Sequence, residues 1–332
     1  MFSLINRIRR ILPSSIKLYR RNFRVNHLNF YRRTRICLPV VMLLPSPTIK
    51  PQTSIINTEI TKVDVEENIG ELLNLVKHAI DRGELEKAEA ILEMGIKICE
   101  EYQSYYALPY MYDILASIAL ATGKIGKAEN ILVRVIEKMI QLEIPEDNDQ
   151  MVDFKLRLSR IYSLYQEVVL AEIGFSTCLR EQENKINKGD MSTKTGLLYI
   201  NCLFFYGLHK ISVSDYLKAK SLIDSAYSYA MKMKGLSPYQ EMMILGTLAD
   251  LNTELKDFDI ALQNINSAII LGKGIGSIDL PKMYLKLAKI YVHMNSLGMA
   301  QQWLHEAINL AHLFNDKKVY EEAETLLQSI SP

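Results

Sequence analysis

The stretch TGKIGKAEN at residues 122–130 sets Gly123-Lys124 before a second glycine and a second lysine, a combination that could cradle a phosphate through backbone N–H groups and an ammonium. Its spacing fails the G-x-x-x-x-G-K-[ST] requirement. A turn that ends a helix at Gly123, with Lys124 to Lys127 forming the corner, is the expectation instead. NKGD at 187–190 has the letters of a guanine-reading motif but no P-loop to go with it. GKGIGS at 272–277 carries glycines at alternate positions, follows a helical pattern instead of a strand, and reads as a flexible linker. His305-Glu306 lacks the second histidine of H-E-x-x-H, and His312 is one more isolated imidazole, so no zinc site forms. Cys37, Cys99, Cys178 and Cys202 are scattered without a C-x-x-C pair and read as small apolar core residues. With no catalytic constellation, cofactor motif or metal-ligand spacing, the chain reads as a non-enzyme that holds no cofactor and no metal.

Charge divides the chain. Residues 1–58 hold eleven Lys or Arg and no Asp or Glu, leaving 28 basic against 38 acidic residues in the remainder. An acidic body disfavours nucleic acid as a partner, since phosphate contacts depend on clustered cations that release counterions. In MFSLINRIRRILPSSIKLYRRNFR, apolar Phe2, Ile5, Ile8 and Leu12 recur at helical spacing among arginines, the character of a mitochondrial presequence. A basic arm for anionic membrane or RNA is the other reading of this leader. Its apolar run ICLPVVMLL at 36–44 contains Pro39 and is short against the ~20 residues of a membrane span. It is read either as leader remnant or as a marginal inner-membrane anchor. A linker is expected at 59–68.

The elements behind these motifs are repeats. GKIGKAENILVRVIEKM at 123–139 has relatives beginning at residues 82, 165, 214, 256 and 295, each with a small residue in register: Ala88, Ala128, Ala171, Ala219, Ala261 and Ala300. These alanines are 40, 43, 48, 42 and 39 residues apart, a period that marks a solenoid. Five of the six are preceded by a helical pattern with packing residues Leu72, Val76 and Ala79; Tyr112, Ala116 and Ala119; Ser159 and Tyr162; Leu245 and Ala249; Tyr284, Ala288 and Tyr291. An alanine early in each second helix lets two antiparallel backbones approach closely. Pro109, Pro145, Pro238 and Pro281 fall at starts of first helices, and Ser237-Pro238 and Asp279-Leu280-Pro281 read as capped starts.

The pattern resembles the tetratricopeptide-repeat family, whose small and glycine signature positions are answered by Ala116, Ala119, Gly123 and Ala128. That resemblance implies an all-α, right-handed solenoid of about six helical hairpins over residues 69–330. Two departures stand out: Gln166 replaces the usual turn glycine of the third repeat, and HKISVSDY gives the fourth an enlarged turn. YMYDILASIALATGKIGKAE, EDNDQMVDFKLRLSRIYSLYQEVVLAEIGFSTCL and DLPKMYLKLAKIYVHMNSLGMAQQWLHEAINLA closely resemble a mitochondrial branch of the family.

The likeness to that branch implies a factor of the mitochondrial inner membrane that binds respiratory complex III (ubiquinol–cytochrome c reductase), including its Rieske iron–sulfur subunit. Such a factor promotes assembly and maintenance of the complex by clearance of Rieske fragments. A kinesin-light-chain-like adaptor or general scaffold, which would be cytosolic, and a peptidase, which would need catalytic residues, are the other readings. In stacked hairpins the first helices line the concave side, and residues one after their packing positions should face the groove. Lys77, Asp113, Ser117, Arg160, Asp250 and Lys289 are the polar members of that row, with Leu73, Ile80, Leu120, Leu156, Ser163, Gly246, Thr253, Leu285 and Val292 beside them. A chaperone-tail clamp of the family would hold Lys and Asn at the first two positions. Leu73 and Lys77, then Asp113 and Ser117, disfavour that role.

Overall fold

The computed structural model describes residues 62–105, 107–233 and 236–330. The basic leader at 1–58 and its apolar run at 36–44 lie outside them. The described residues form thirteen helices and no strand: α1 (Lys62–Asp81), α2 (Leu85–Glu101), α3 (Leu108–Ala121), α4 (Ile125–Gln141), α5 (Asp149–Leu164), α6 (Val168–Asn187), α7 (Thr193–Ser212), α8 (Tyr216–Met233), α9 (Pro238–Glu254), α10 (Phe258–Gly274), α11 (Leu280–His293), α12 (Leu297–Leu313) and α13 (Lys317–Ile330). Helix α1 thus begins inside the segment expected as linker. The helices group into two compact units that divide between Ile131 and Leu132. In the first, α1 packs on α2 and α2 on α3. In the second, each helix from α5 to α13 packs on the next, and first helices also meet first helices, α5 with α7, α9 with α11 and α11 with α13.

Every hairpin turns the same way, which is why the small residues repeat. Three residues join α1 to α2, α3 to α4, α5 to α6, α7 to α8, α9 to α10 and α11 to α12, and the same turn leads from α12 to α13. The middle residue always has positive φ: Gly83, Gly123, Gln166, Ser214, Lys256, Asn295 and Asn315. At Gly123 the N–H of Lys124 donates to the Ala119 carbonyl at 2.8 Å and that of Gly123 to Leu120 at 3.1 Å, closing the last carbonyls of α3. HKISVSDY is therefore not an enlarged turn. Helix α7 continues to Ser212, and Ser214 takes the left-handed conformation that glycine takes elsewhere, at φ 62°.

A constant turn fixes the offsets of the first helix from the alanine of the second. All six alanines are fully buried. Twelve residues before each stands a small partner, Val76, Ala116, Ser159, Gly207, Ala249 or Ala288. The helix missing from the sequence pattern is α7, whose partner is Gly207. A Cβ there would sit 2.4 Å from Ile223 Cγ1 and 3.4 Å from the Ala219 carbonyl oxygen, so the Ile223 side chain already fills the space that an alanine methyl would need. Sixteen residues before each alanine stands a larger side chain, Leu72, Tyr112, Lys155, Leu203, Leu245 or Tyr284. Lys155 is the exception in kind, and its Nζ is buried without a hydrogen-bond partner.

The helix starts agree with the prolines. Pro109 and Pro281 sit in the first turns of α3 and α11, Pro238 opens α9, and Pro145 lies in the loop before α5. Ser237 and Gln240 form a reciprocal capping box, the Ser237 Oγ accepting from Gln240 N–H at 3.3 Å and Gln240 Oε1 from Ser237 N–H at 3.0 Å. Asp279 does not cap α11 with its side chain. Its carboxylate accepts from Tyr239 Oη at 2.8 Å and from Lys282, tying α9 to α11 instead. The core of the last repeats gathers Met242, Ile265, Met283, Leu287 and Leu304, with Trp303 of α12 stacked on Tyr284 of α11 at 5.5 Å between ring centroids. No helix among the described residues is long and apolar enough to cross a membrane.

Candidate protein-binding surface

The phosphate-like motifs are structural in place. Lys124 Nζ lies 3.0 Å from Glu89 Oε2, while Lys127 reaches Glu89 and, at 2.7 Å, Glu93, so both lysines of TGKIGKAEN join the turn to α2. The lysines, Lys127 foremost, hold the Glu89 carboxyl below its usual range. In NKGD, Gly189 ends α6 at φ 96°, and Asp190 accepts from Ser192 N–H at 3.0 Å and Thr195 Oγ1 at 2.8 Å. Those hydrogen bonds to the charged form bring Asp190 down to about 2. GKGIGS is not a flexible linker, because Gly272 and Gly274 belong to α10 and Gly276 closes it at φ 60°. His305 and His312 are exposed on α12. Cys99, Cys178 and Cys202 are fully buried, and burial pushes the Cys178 thiol up to about 12.

What remains is the first-helix face, taken one unit at a time. In the first unit Lys77 is exposed on α1, and Asp113 and Ser117 are half-buried on α3. In the second, Arg160 of α5 lays its guanidinium 3.7 Å above the Phe205 ring of α7. Asp250 of α9 pairs with Lys286 of α11, which also donates to the Gly246 carbonyl at 3.1 Å, and Lys289 of α11 pairs with Glu322 of α13 at 2.7 Å. Each of these three therefore reaches across to the next first helix. The pairs are roughly half exposed, so each contributes at most about 1 kcal/mol and can exchange partners at little cost.

Leu156, Gly246, Thr253 and Leu285 do not line a groove; they are buried. First helices use one flank against their own second helix and the other against the next first helix, as the α5–α7, α9–α11 and α11–α13 contacts require. In the second unit, positions one residue after the packing row fall on that second flank, which buries Leu156, Gly246, Thr253 and Leu285 and leaves Arg160, Asp250 and Lys289 partly or fully exposed.

Sequence reasoning missed a polar cluster between α5, α6 and α7. His209 is buried, with Nδ1 2.8 Å from Ser163 Oγ and Nε2 3.6 Å from Glu172 Oε2. Glu172 Oε1 accepts from Tyr206 Oη and, at 2.9 Å, from Lys210 Nζ. Phe175 stacks on the Tyr206 ring at 5.7 Å and lies tilted against His209 at 5.3 Å. Burial lowers the His209 pKa, with Lys210 acting in the same direction and Glu172 against it. The only sequence signal was His209-Lys210 in the last helical turn before the hairpin corner. A serine, a histidine and a carboxylate in line call to mind acyl transfer. Ser163 lies inside α5, however, where backbone N–H groups are committed to the helix instead of being free to stabilise an oxyanion.

No family model matches the chain. It is similar to the Mus musculus "Tetratricopeptide repeat protein 19, mitochondrial", 22% identical over 277 residues that cover 81% of this chain and 76% of that protein. The Homo sapiens protein of the same name is 22% identical over 264 residues, covering 76% of this chain and 70% of that one. Among solved structures, BtubC from P. vanneervenii superposes with a TM-score of 0.58 at 15% identity, over 70% of this chain and 92% of that one. The kinesin light chain TPR-like repeats of Podosopora anserina superpose with a TM-score of 0.53 at 12% identity, over 64% and 99%. Stacked helical hairpins of this kind are scaffolds for protein interaction. The chain has the all-α tetratricopeptide-repeat fold, and in sequence it is similar over most of its length to tetratricopeptide repeat protein 19 of several animals.

Proposed function

We propose that this chain is a non-catalytic factor of the mitochondrial inner membrane that binds respiratory complex III and promotes clearance of Rieske subunit fragments from it. The observation that carries the reading is the similarity to proteins named mitochondrial tetratricopeptide repeat protein 19, which extends over roughly three quarters or more of the chain. The acid-free basic leader supports it independently. Binding is assigned to the first helices of each unit, through Lys77, Asp113 and Ser117 in the first and Arg160, Asp250 and Lys289 in the second, where the Asp250–Lys286 and Lys289–Glu322 pairs can be traded for pairs with a partner.

Removing the protein from its own cells should leave complex III assembled but less active, with amino-terminal Rieske fragments retained in it. Re-expression of the wild type should clear them, and Lys77→Glu combined with Asp250→Lys should fail to do so while remaining folded by circular dichroism. Complex III from deficient mitochondria that carries no excess fragments refutes the assignment. Cleavage of the fragments by the purified protein alone refutes its non-catalytic part.

A further inference from the structure

The cluster around His209 joins two hairpins through a single carboxylate that has two competing suitors. Helix α5 contributes the Ser163 hydroxyl, and α6 contributes Glu172 with the Phe175 ring. Helix α7 contributes His209 itself with Tyr206 and Lys210, and Asp215, in the turn to α8, lies 3.9 Å from Lys210. The charged groups acting on the ring are Glu172 and Lys210.

A carboxylate opposite Nε2 favours the tautomer with hydrogen on Nε2, so the Ser163 hydroxyl donates to Nδ1. At 3.6 Å the Nε2–Glu172 approach is too long for a hydrogen bond, and Glu172 is committed to Tyr206 and Lys210. Protonation changes both ends of the ring. Nδ1 can no longer accept from Ser163, and a buried cation must find an anion, of which Glu172 is the one within reach. Lys210, released, has Asp215 already at 3.9 Å.

We propose that His209 is a proton-operated latch at the joint between the α5–α6 and α7–α8 hairpins, in which protonation draws Glu172 off Lys210 and onto the ring. In the neutral state the joint is held by Ser163–His209 and Glu172–Lys210. In the protonated state it is held by His209–Glu172, with Lys210 turned to Asp215 and the Ser163 hydroxyl no longer donating to the ring. A histidine whose folded-state pKa is depressed binds fewer protons folded than unfolded. Its contribution to stability is therefore complete above the unfolded value of about 6.5 and falls away as pH drops below it.

The test uses the full chain, with denaturant unfolding between about pH 7.5 and about pH 5.5, the range a histidine covers, and NMR of ring and carboxyl carbons. The His209 ring signal, assigned by its absence in His209→Gln, should titrate together with the Glu172 carboxyl carbon at one midpoint. The acid-induced loss of stability in the wild type should shrink in His209→Gln, which can still hydrogen-bond Ser163, and grow in Glu172→Gln, where the protonated ring has no anion. Comparing slopes against pH removes any constant destabilisation the variants bring. An unchanged slope in His209→Gln overturns the proposal. So does a ring that titrates while the Glu172 carbon stays still.

Discussion

A methyl group added at Gly207 would have to enter the space occupied by Ile223 Cγ1, a methylene on the branched Cβ that moves only if χ1 of this fully buried, stiff side chain turns. Helix propensity favours Gly207→Ala by about 1 kcal/mol, whereas overpacking against a buried side chain costs about 1–3 kcal/mol. Destabilisation should win, and chemical denaturation measures it; a stabilised variant would mean that the helices are farther apart. Lys155 presents the opposite case. Burial depresses its ammonium below the usual lysine range, and its Nζ has no hydrogen-bond partner in a row where other first helices carry Tyr or Leu. Lys155→Leu should therefore stabilise the fold by roughly 1–3 kcal/mol at neutral pH. Because the folded pKa is depressed, the gain over wild type should narrow as pH rises towards about 10.4, where the unfolded lysine also loses its proton.

At the scale of elements, one three-residue turn with a left-handed centre is used seven times, by glycine only at Gly83 and Gly123. Gln166→Gly removes the strain of a side chain at φ 58° and should raise stability by about 1 kcal/mol, while Gly123→Ala should lower it by a similar amount; paired thermal melts would check both signs. The repeats were legible from the buried alanines, because a close helix contact admits few residue types. Helix α7 was not, because its small partner is Gly207 and its turn centre is Ser214, so both cues the eye follows were replaced by residues that do the same job. The polar rim residues were legible only as positions. That Arg160, Asp250 and Lys289 reach the next first helix depends on contacts between repeats, which no single repeat encodes. His209 escaped altogether, since its partners lie 46 and 37 residues away along the chain.

Across the molecule, the described array ends on α13, an unpaired helix that buries Val319 and Ala323 against the last hairpin. Terminal elements of such arrays shield a face that would otherwise be apolar. Deleting residues 317–332 should expose part of the core containing Leu304, Ala307 and Ala311, lower the melting temperature and promote aggregation. Light scattering alongside a thermal melt tests this, and a truncated chain that melts unchanged and stays monomeric would show α13 to be dispensable.

Trp303 is the single tryptophan of the chain, and it stacks on Tyr284 at the α11–α12 junction. Its emission is thus a local optical signal from one hairpin near the carboxyl end, whereas far-ultraviolet dichroism sums over every helix. Unfolding of a linear array is nearest-neighbour in character, so the two signals need not move together. The denaturant gap between them measures how far one hairpin's loss of order spreads along the chain, without any label being attached.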